Sequence, residues 1–200
     1  FYACLLHDIS KPQCTTQSYE DGRISSKGHS RIGAIDSRML LWKLNVPFSL
    51  REQICTIINV HQLPFYVIEN ADPRFSIIKL SHTVGRIDLL SAVATADMKG
   101  RTTILKEQSL ENIELFNLVA QELGVWNEQF PFNDRFSRQK YFWDDGKNDP
   151  NFEVFDEKKF TVTILSGMPA SGKSTYAASL NKPVISIDDC VKELKLKHGG

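Results

Sequence analysis

Two groups of residues in this 200-residue chain have the types and spacing that phosphate chemistry requires. A glycine-rich run, GMPASGKST, occupies residues 167–175. Its glycines and lysine are suited to binding a polyphosphate. The other group consists of imidazoles and carboxylates, which together suit a transition metal. Its members are His7, Asp8, His29, His61 and Asp97. The pattern predicts one site that removes phosphate and another that transfers it.

Helical periodicity predicts that His61 points into a core. Ser49 and Glu52 have the spacing of a capping box, so a helix should begin at Ser49. Its apolar positions are Leu50, Ile54, Ile57 and Ile58. His61 follows Ile57 by four residues and therefore falls on the same inward face.

Asp97 and His29 are placed by the same argument. Asp97 continues the apolar face of Leu90 and Val93, and a buried carboxylate needs a cation or strong donors. His29 begins a helix whose predicted buried stripe is Ile32, Ile35, Met39 and Leu40. Each histidine taken singly is explained by core packing, but the convergence of several imidazoles and carboxylates indicates a metal site.

The second group matches G-x-x-x-x-G-K-[ST] through Gly167, Gly172, Lys173 and Ser174. The run 161–165 before it is apolar and β-branched, which predicts a buried parallel strand. A helix over 172–180 should follow the loop and favour an anion at its start. We expect Lys173 to reach the β- and γ-phosphates of ATP and Ser174 to hold Mg²⁺. Ser171 and Thr175 should also contact the nucleotide.

A second strand is predicted over 183–187, directly before Asp188 and Asp189. A carboxylate at the carboxyl end of a parallel strand faces the ligand crevice, where Asp188 could orient or deprotonate an attacking hydroxyl. The alternative is that Asp188 only caps a helix that begins near Cys190. Capping is the role expected of Asp189.

The segments LLHDISK, GHSRIGA, INVHQLP and ATADMKGR together resemble the HD superfamily of metal phosphohydrolases. The resemblance implies that His7, Asp8 and Asp97 bind one divalent metal ion. It implies that His29 and His61 bind a second ion or the substrate phosphate, and that Lys11 contacts this phosphate. A metal-activated water is then expected to attack the terminal phosphorus.

The order of the two modules resembles the bacterial HD-domain polynucleotide kinases, which heal broken RNA ends. That family implies hydrolysis of 2′,3′-cyclic, 2′- or 3′-phosphate ends and phosphorylation of 5′-hydroxyl ends with a nucleoside triphosphate. It implies Asp188 as general base and allows an RNA ligase as partner. The chain departs from the family at Val191, where an arginine is usual, although Lys192 follows it.

Two other functions remain open at this point. The chain could combine a small-molecule kinase with a nucleotide phosphohydrolase, in which case no strand-binding groove is needed. It could also be a nucleotide-sensing regulatory module with degenerate sites, a reading that Val191 favours.

The expected fold is multi-domain, with an all-α HD module at 1–124, a connector at 125–157 and the start of an α/β P-loop domain at 158–200. A helix over 109–123, closed by Gly124, sets the first boundary. Basic and aromatic residues alternate in 135–143, as in an RNA-contacting patch or in a linker held by its aromatic rings. The family's upstream histidine and the rest of the kinase domain are expected outside these residues.

Composition limits the protein class less than the motifs do. The hydrophobic fraction of 42% suits a globular core, and the formal net charge of zero gives no support for nucleic-acid binding. Four scattered cysteines without a CxxC pair predict a reducing, cytoplasmic setting. No apolar run reaches the roughly 20 residues of a membrane span.

Overall fold

A computed structural model of the protein describes residues 1–18, 22, 24–155 and 159–198. The chain divides into two compact units, Phe1–Val154 and Phe155–Gly200. The predicted boundary between 157 and 158 lies outside the described residues.

The first unit is helical, with one short hairpin. Its α-helices are α1 Tyr2–Leu6, α2 Lys11–Cys14, α3 His29–Lys43, α4 Phe48–Val60, α5 Pro73–Val84, α6 Ile87–Gly100, α7 Lys106–Glu122 and α8 Arg135–Trp143. Strands β1 Thr16–Gln17 and β2 Ile24–Ser25 pair antiparallel between α2 and α3. Two 3₁₀ turns, Leu63–Phe65 and Val67–Glu69, link α4 to α5. The expected all-α character of this module is confirmed.

Packing centres on α4 and α6. Helix α3 lies along α4, α1 contacts both α4 and α6, and α7 covers α6. The fully buried side chains of this core include Cys55, Ile58, Ile77, Ile87, Leu90 and Phe116. Burying a Leu, Ile or Phe side chain contributes about 1.5–3 kcal/mol, so these contacts fix the relative positions of the helices that carry the histidines and aspartates.

The predicted start and inward face of α4 need correction. The helix begins at Phe48 with Pro47 as its N-cap, and no side chain of the described residues caps this end. The capping box at Ser49 is therefore wrong, because the fixed φ of Pro47 already sets the entry to the helix. Leu50 is exposed, whereas Ile54, Ile57 and Ile58 are buried as predicted.

The predicted stripe of α3 is also wrong, although the helix does begin at His29. Ile35, Met39 and Leu40 are exposed. The buried residues are instead His29, Gly33, Ala34, Ser37 and Leu41. Small residues form the inner face because α3 approaches neighbouring backbone closely. An ideal Cβ on Gly33 would lie 3.4 Å from the carbonyl oxygen of His7.

Residues 125–154 belong to the first compact unit and are more regular than the predicted connector. The Asp134 carboxylate accepts hydrogen bonds from the backbone of Phe136 and Ser137, which caps α8. Tyr141 and Phe142 of this helix join a cluster of rings with Phe75, His82, Phe130 and Phe132. The aromatic residues therefore hold the segment against α5. Gly124 has φ +69° and ends α7 as predicted.

The second unit contains α9 Lys173–Ser179 and α10 Ile187–His198. The helix after the glycine-rich loop is confirmed, with Gly172 as N-cap. The strands predicted over 161–165 and 183–187 are wrong for the described residues, whose sheet contains only β1 and β2. Ile164 and Ile185 are 86% and 91% exposed. A strand requires a hydrogen-bonded neighbour, and these runs have none within the described part of the chain. The described residues therefore do not show the predicted parallel sheet.

Within the described ranges, no helix combines the length and apolar character that crossing a membrane requires.

Candidate functional site

The structure brings the five predicted metal-type residues of the first unit together. His7 ends α1, and Asp8 follows it in a turn. His29 is the first residue of α3, His61 directly follows the last residue of α4, and Asp97 lies near the end of α6. His61 is thus positioned by a helix end rather than by the interior of a helical face.

The three imidazole rings surround a common centre. The His61 ring lies edge-on to those of His7 and His29, with ring centroids 5.0 Å and 5.5 Å away. Two sets of side chains have ligand atoms within 4.8 Å of one another: His7, His61 and Asp97, and Asp8, His29 and His61. Since His61 belongs to both sets, this grouping differs from the pairing that the HD resemblance implies. The division of ligands between ions stays a prediction.

Backbone carbonyls fix the tautomer of all three histidines. The Nδ1 atoms of His7, His29 and His61 lie 2.7 Å from the carbonyl oxygens of Cys4, Ser26 and Ile58 respectively. A carbonyl oxygen can only accept, so each Nδ1 carries a proton, and in the neutral ring Nε2 keeps the lone pair. This arrangement is the one that a metal-binding histidine requires.

Several polar atoms at the centre have no hydrogen-bond partner among the described residues. They are His7 Nε2, Asp8 Oδ1 and His61 Nε2. Leaving a buried polar atom unsatisfied costs about 1–3 kcal/mol. A divalent cation among these atoms would accept their lone pairs, so the donor set fits the metal ion that the sequence predicts.

One cation accompanies each carboxylate. Lys11 Nζ lies 2.6 Å from Asp8 Oδ2. Arg101 holds Asp97 in a two-point arrangement, with Nε 2.8 Å from Oδ1 and Nη2 2.5 Å from Oδ2. Bidentate guanidinium–carboxylate pairs are among the stronger hydrogen-bonded pairs in proteins, so the orientation of Asp97 is well determined.

Burial and neighbouring charged groups shift the pKa values of His7 and Asp97 in opposite directions. Burial alone would raise the pKa of Asp97, but the nearby His7 imidazole and the hydrogen bonds from Arg101 outweigh it and hold that pKa well below its ordinary value. The nearby Asp97 carboxylate raises the pKa of His7 despite partial burial. Burial lowers the pKa of His61, which favours the neutral imidazole. Asp97 is thus anionic and His61 neutral near pH 7, which are the forms that bind metal.

A cleft of about 370 Å³ opens beside this centre. Its walls are formed by Cys4, His7, Asp8, Lys11, Val93, Ala96, Asp97, Gly100 and Arg101. Lys11, predicted as a phosphate contact, lines it together with Arg101. The sequence analysis missed Arg101. Its signal was the spacing of four residues after Asp97, which places both on one face of a helix.

Hydrogen bonds connect the segment that carries Asp8 and Lys11 to α3. The buried Ser10 hydroxyl donates to Asp36 Oδ2 at 2.6 Å, and Gln13 Nε2 donates to the same oxygen at 2.5 Å. The absence of a side chain at Gly33 lets the turn approach this helix. Contacts outside the predicted metal site therefore hold its residues in place.

In the second unit, the Lys173 side chain forms hydrogen bonds with the backbone of its own glycine-rich loop. Lys173 Nζ donates to the carbonyl oxygens of Gly167 and Met168 at 2.8 Å and 2.7 Å. An ideal Cβ on Gly167 would lie 2.9 Å from Ser171 Oγ, so a side chain there would require Ser171 to rotate away. Ser174 and Thr175 follow Lys173 in the first turn of α9, directly after the loop that contains Gly167 and Ser171.

Asp188 and Asp189 both lie in the first turn of α10, which begins at Ile187. The expected helix start near Cys190 is therefore wrong, because Ile187 already adopts helical structure. Lys192 pairs with Asp189 at 3.7 Å, and both side chains are exposed. The role of Asp188 as general base stays a prediction.

No family model and no solved structure matches the chain. The A-adding tRNA nucleotidyltransferase of Deinococcus radiodurans is 34% identical to it over 65 residues. The matched stretch covers 32% of this chain and 15% of that protein. The chain therefore matches only a small part of the length of this curated relative.

Proposed function

We propose that the first unit is a metal-dependent phosphoesterase. The observation that carries this proposal is the common orientation of the three histidines. Each Nδ1 donates to a carbonyl oxygen, while the Nε2 atoms lie 3.2–3.6 Å from oxygens of Asp8 or Asp97. A divalent ion held there would supply Lewis-acid chemistry and activate water for attack on phosphorus.

The residues of the chain have separate tasks in this proposal. His61 Nε2 has one lone pair, so it serves one ion at a time, with His7 and Asp97 or with Asp8 and His29. The carbonyl partners hold the imidazoles in the binding tautomer. Lys11, in the cleft wall, binds the phosphate of the substrate as a point charge.

The test is hydrolysis of simple phosphate esters by the full protein. Protein treated with chelator should lose hydrolysis of p-nitrophenyl phosphate and bis-p-nitrophenyl phosphate, and Mn²⁺ should restore it. Asp8→Ala should abolish the activity, since it removes an anionic ligand. Glu122→Gln, which changes an exposed acid on α7, is the matched control. Hydrolysis that resists chelator, or full activity of Asp8→Ala, contradicts the proposal.

For the whole protein we propose a bifunctional enzyme that heals nucleic-acid ends, RNA in particular. The first unit would remove 2′,3′-cyclic, 2′- or 3′-phosphates. The second would phosphorylate 5′-hydroxyl ends with Mg²⁺-ATP bound at 167–175. The complete G-x-x-x-x-G-K-[ST] match and the order of the modules support this. The partial similarity to a protein named as acting on tRNA is compatible with a nucleic-acid substrate.

A short RNA with a 5′-hydroxyl and a 2′,3′-cyclic phosphate tests the wider proposal. The full protein with Mn²⁺, Mg²⁺ and ATP should change both ends, which gel mobility and mass spectrometry detect. Activity on nucleotides that single-stranded RNA does not compete away favours a small-molecule kinase joined to a nucleotide phosphohydrolase. Failure to hydrolyse any phosphoester favours a regulatory module.

A further inference from the structure

The cleft beside the proposed metal centre has two cations in its walls, Lys11 and Arg101. Lys11 pairs with Asp8 and Arg101 pairs with Asp97. His29 and His61 are not part of the cleft wall. The two cations therefore stand where a substrate enters, on the same side as the carboxylates.

Arg101 is held rigidly by three kinds of contact. Its Nε and Nη2 donate to Asp97. Its Cζ lies 5.3 Å from the centroid of the buried Phe65 ring, at cation–π distance. Its carbonyl oxygen accepts a hydrogen bond from Lys106 Nζ at 3.2 Å. A guanidinium that is already ordered loses little conformational entropy when it binds a ligand.

The guanidinium also retains donors for a ligand. Arginine offers five N–H groups, and the pair with Asp97 uses one on Nε and one on Nη2. No hydrogen bond to a described residue uses Nη1. The side chain is 29% exposed and lines the cleft. Arg101 can therefore hold Asp97 and donate to a second anion at the same time.

The charges of the site favour a phosphate once a metal ion is bound. Asp8 and Asp97 contribute two negative charges, and Lys11 and Arg101 contribute two positive charges. A divalent ion at the histidines adds two positive charges. The site then has a net positive charge of two, equal and opposite to that of a phosphate monoester dianion. The excess positive charge of the site therefore favours binding of an anion in the cleft.

We infer that Arg101 is a second phosphate-binding residue of this site and acts together with Lys11. It donates from Nη1 to an oxygen of the substrate phosphate and orients Asp97 through Nε and Nη2. The inference rests on the proposed phosphoesterase function and adds the group that selects for the phosphate charge.

Phosphate binding at saturating metal separates this role from a purely structural one. The probe is inorganic phosphate, titrated calorimetrically into the full protein saturated with Mn²⁺. Charge-assisted hydrogen bonds contribute about 1.5–3 kcal/mol, so Arg101→Gln should weaken phosphate binding about 10- to 100-fold. Arg101→Lys keeps the charge and should recover part of the loss. Arg74→Gln, which changes an exposed arginine paired with Glu122, is the matched control.

The outcomes distinguish the two proposals. If Arg101 only orients Asp97, Arg101→Gln lowers Mn²⁺ affinity but leaves phosphate affinity at saturating Mn²⁺ unchanged, and the inference is overturned. A wild-type protein that binds Mn²⁺ and phosphate but hydrolyses no ester overturns the proposed function alone. A wild-type protein that binds no Mn²⁺ overturns both. Hydrolysis kinetics should agree, with Arg101→Gln raising KM for a phosphate monoester.

Discussion

His7 and His61 share the carboxylate of Asp97. His7 Nε2 lies 3.6 Å from Oδ1, and His61 Nε2 lies 3.6 Å from Oδ2. The two rings come from the ends of α1 and α4, and the carboxylate comes from α6. Three helices therefore meet at one ligand set, and its geometry depends on how they pack.

His61→Ala should remove the ligand common to both sets. We expect Mn²⁺ affinity to fall at least about 100-fold, because the buried site then has no substitute imidazole. Equilibrium dialysis with metal analysis measures this. His82→Gln is the control, since His82 is a partly buried histidine outside the metal centre that bonds to the Phe130 carbonyl. Equal metal affinity in wild type and His61→Ala would show that His61 is not a ligand.

Gly33→Leu should destabilise the first unit and disturb the metal centre. A side chain beyond Cβ must displace the His7 carbonyl or Ile58, which lie 3.4 Å and 3.7 Å from the ideal Cβ. Overpacking of this kind costs about 1–3 kcal/mol, measured by urea unfolding. Gly33→Ala should fit, and Met39→Leu, which changes an exposed residue of the same helix, is the control. Similar losses in both leucine variants would contradict close packing at Gly33.

His82 should make stability depend on pH. Burial lowers the pKa of His82 below 6.5, despite its hydrogen bond to Phe130. The unfolded chain then takes up the proton first, so the neutral ring stabilises the fold above about pH 6.5 and this contribution is lost as the pH falls. His82→Gln should reduce the decrease in unfolding free energy between pH 7 and 5. Unchanged pH dependence in urea titrations would argue against this role.

Lys173→Ala should abolish ATP binding and 5′-phosphorylation while leaving phosphate-ester hydrolysis unchanged. The lysine supplies a charge for the β- and γ-phosphates, and losing such a group typically costs a few kcal/mol of transition-state stabilisation. Both activities should be measured on one preparation. Lys182→Ala, an exposed lysine of the same unit, is the control. Parallel loss of both activities would indicate one composite site.

Asp188→Asn should lower the rate of phosphorylation strongly and leave ATP affinity nearly unchanged. It keeps the size of the side chain but removes its charge and most of its basicity. Asp189→Asn should have a mild effect, since the exposed Asp189 contributes a surface ion pair with Lys192, a kind of pair that contributes little. Steady-state kinetics of both variants provide the measurement. The reverse order of effects would move the general base to Asp189.

Local signals in the sequence were sufficient for several features. The HD dipeptide, the spaced histidines and Asp97 identified five residues that the structure brings together. Gly124 marked the end of α7, and Gly172 marked the start of α9. These features depend on a residue's own backbone preferences or on neighbours within a turn or two, which the sequence contains directly.

Features that depend on distant parts of the chain were missed or misplaced. Arg101 belongs to the site because it lines the cleft between α1 and α6. The helical period predicted that Ile35 and Met39 lie on the buried face of α3. They are exposed, and Gly33 and Ser37 are buried instead. Hydrophobicity indicates what a helix can bury, whereas the distance to the neighbouring backbone decides which face fits.

The sequence by itself determined the ligand types and the helices that carry them. Only the tertiary structure decided that His61 joins both ligand sets, that Cys4, Ser26 and Ile58 fix the tautomers, and that Arg101 holds Asp97. The physical reason is that coordination distances of a few ångströms are set by the packing of whole helices. That packing follows from contacts between residues far apart in the chain, which no local pattern encodes.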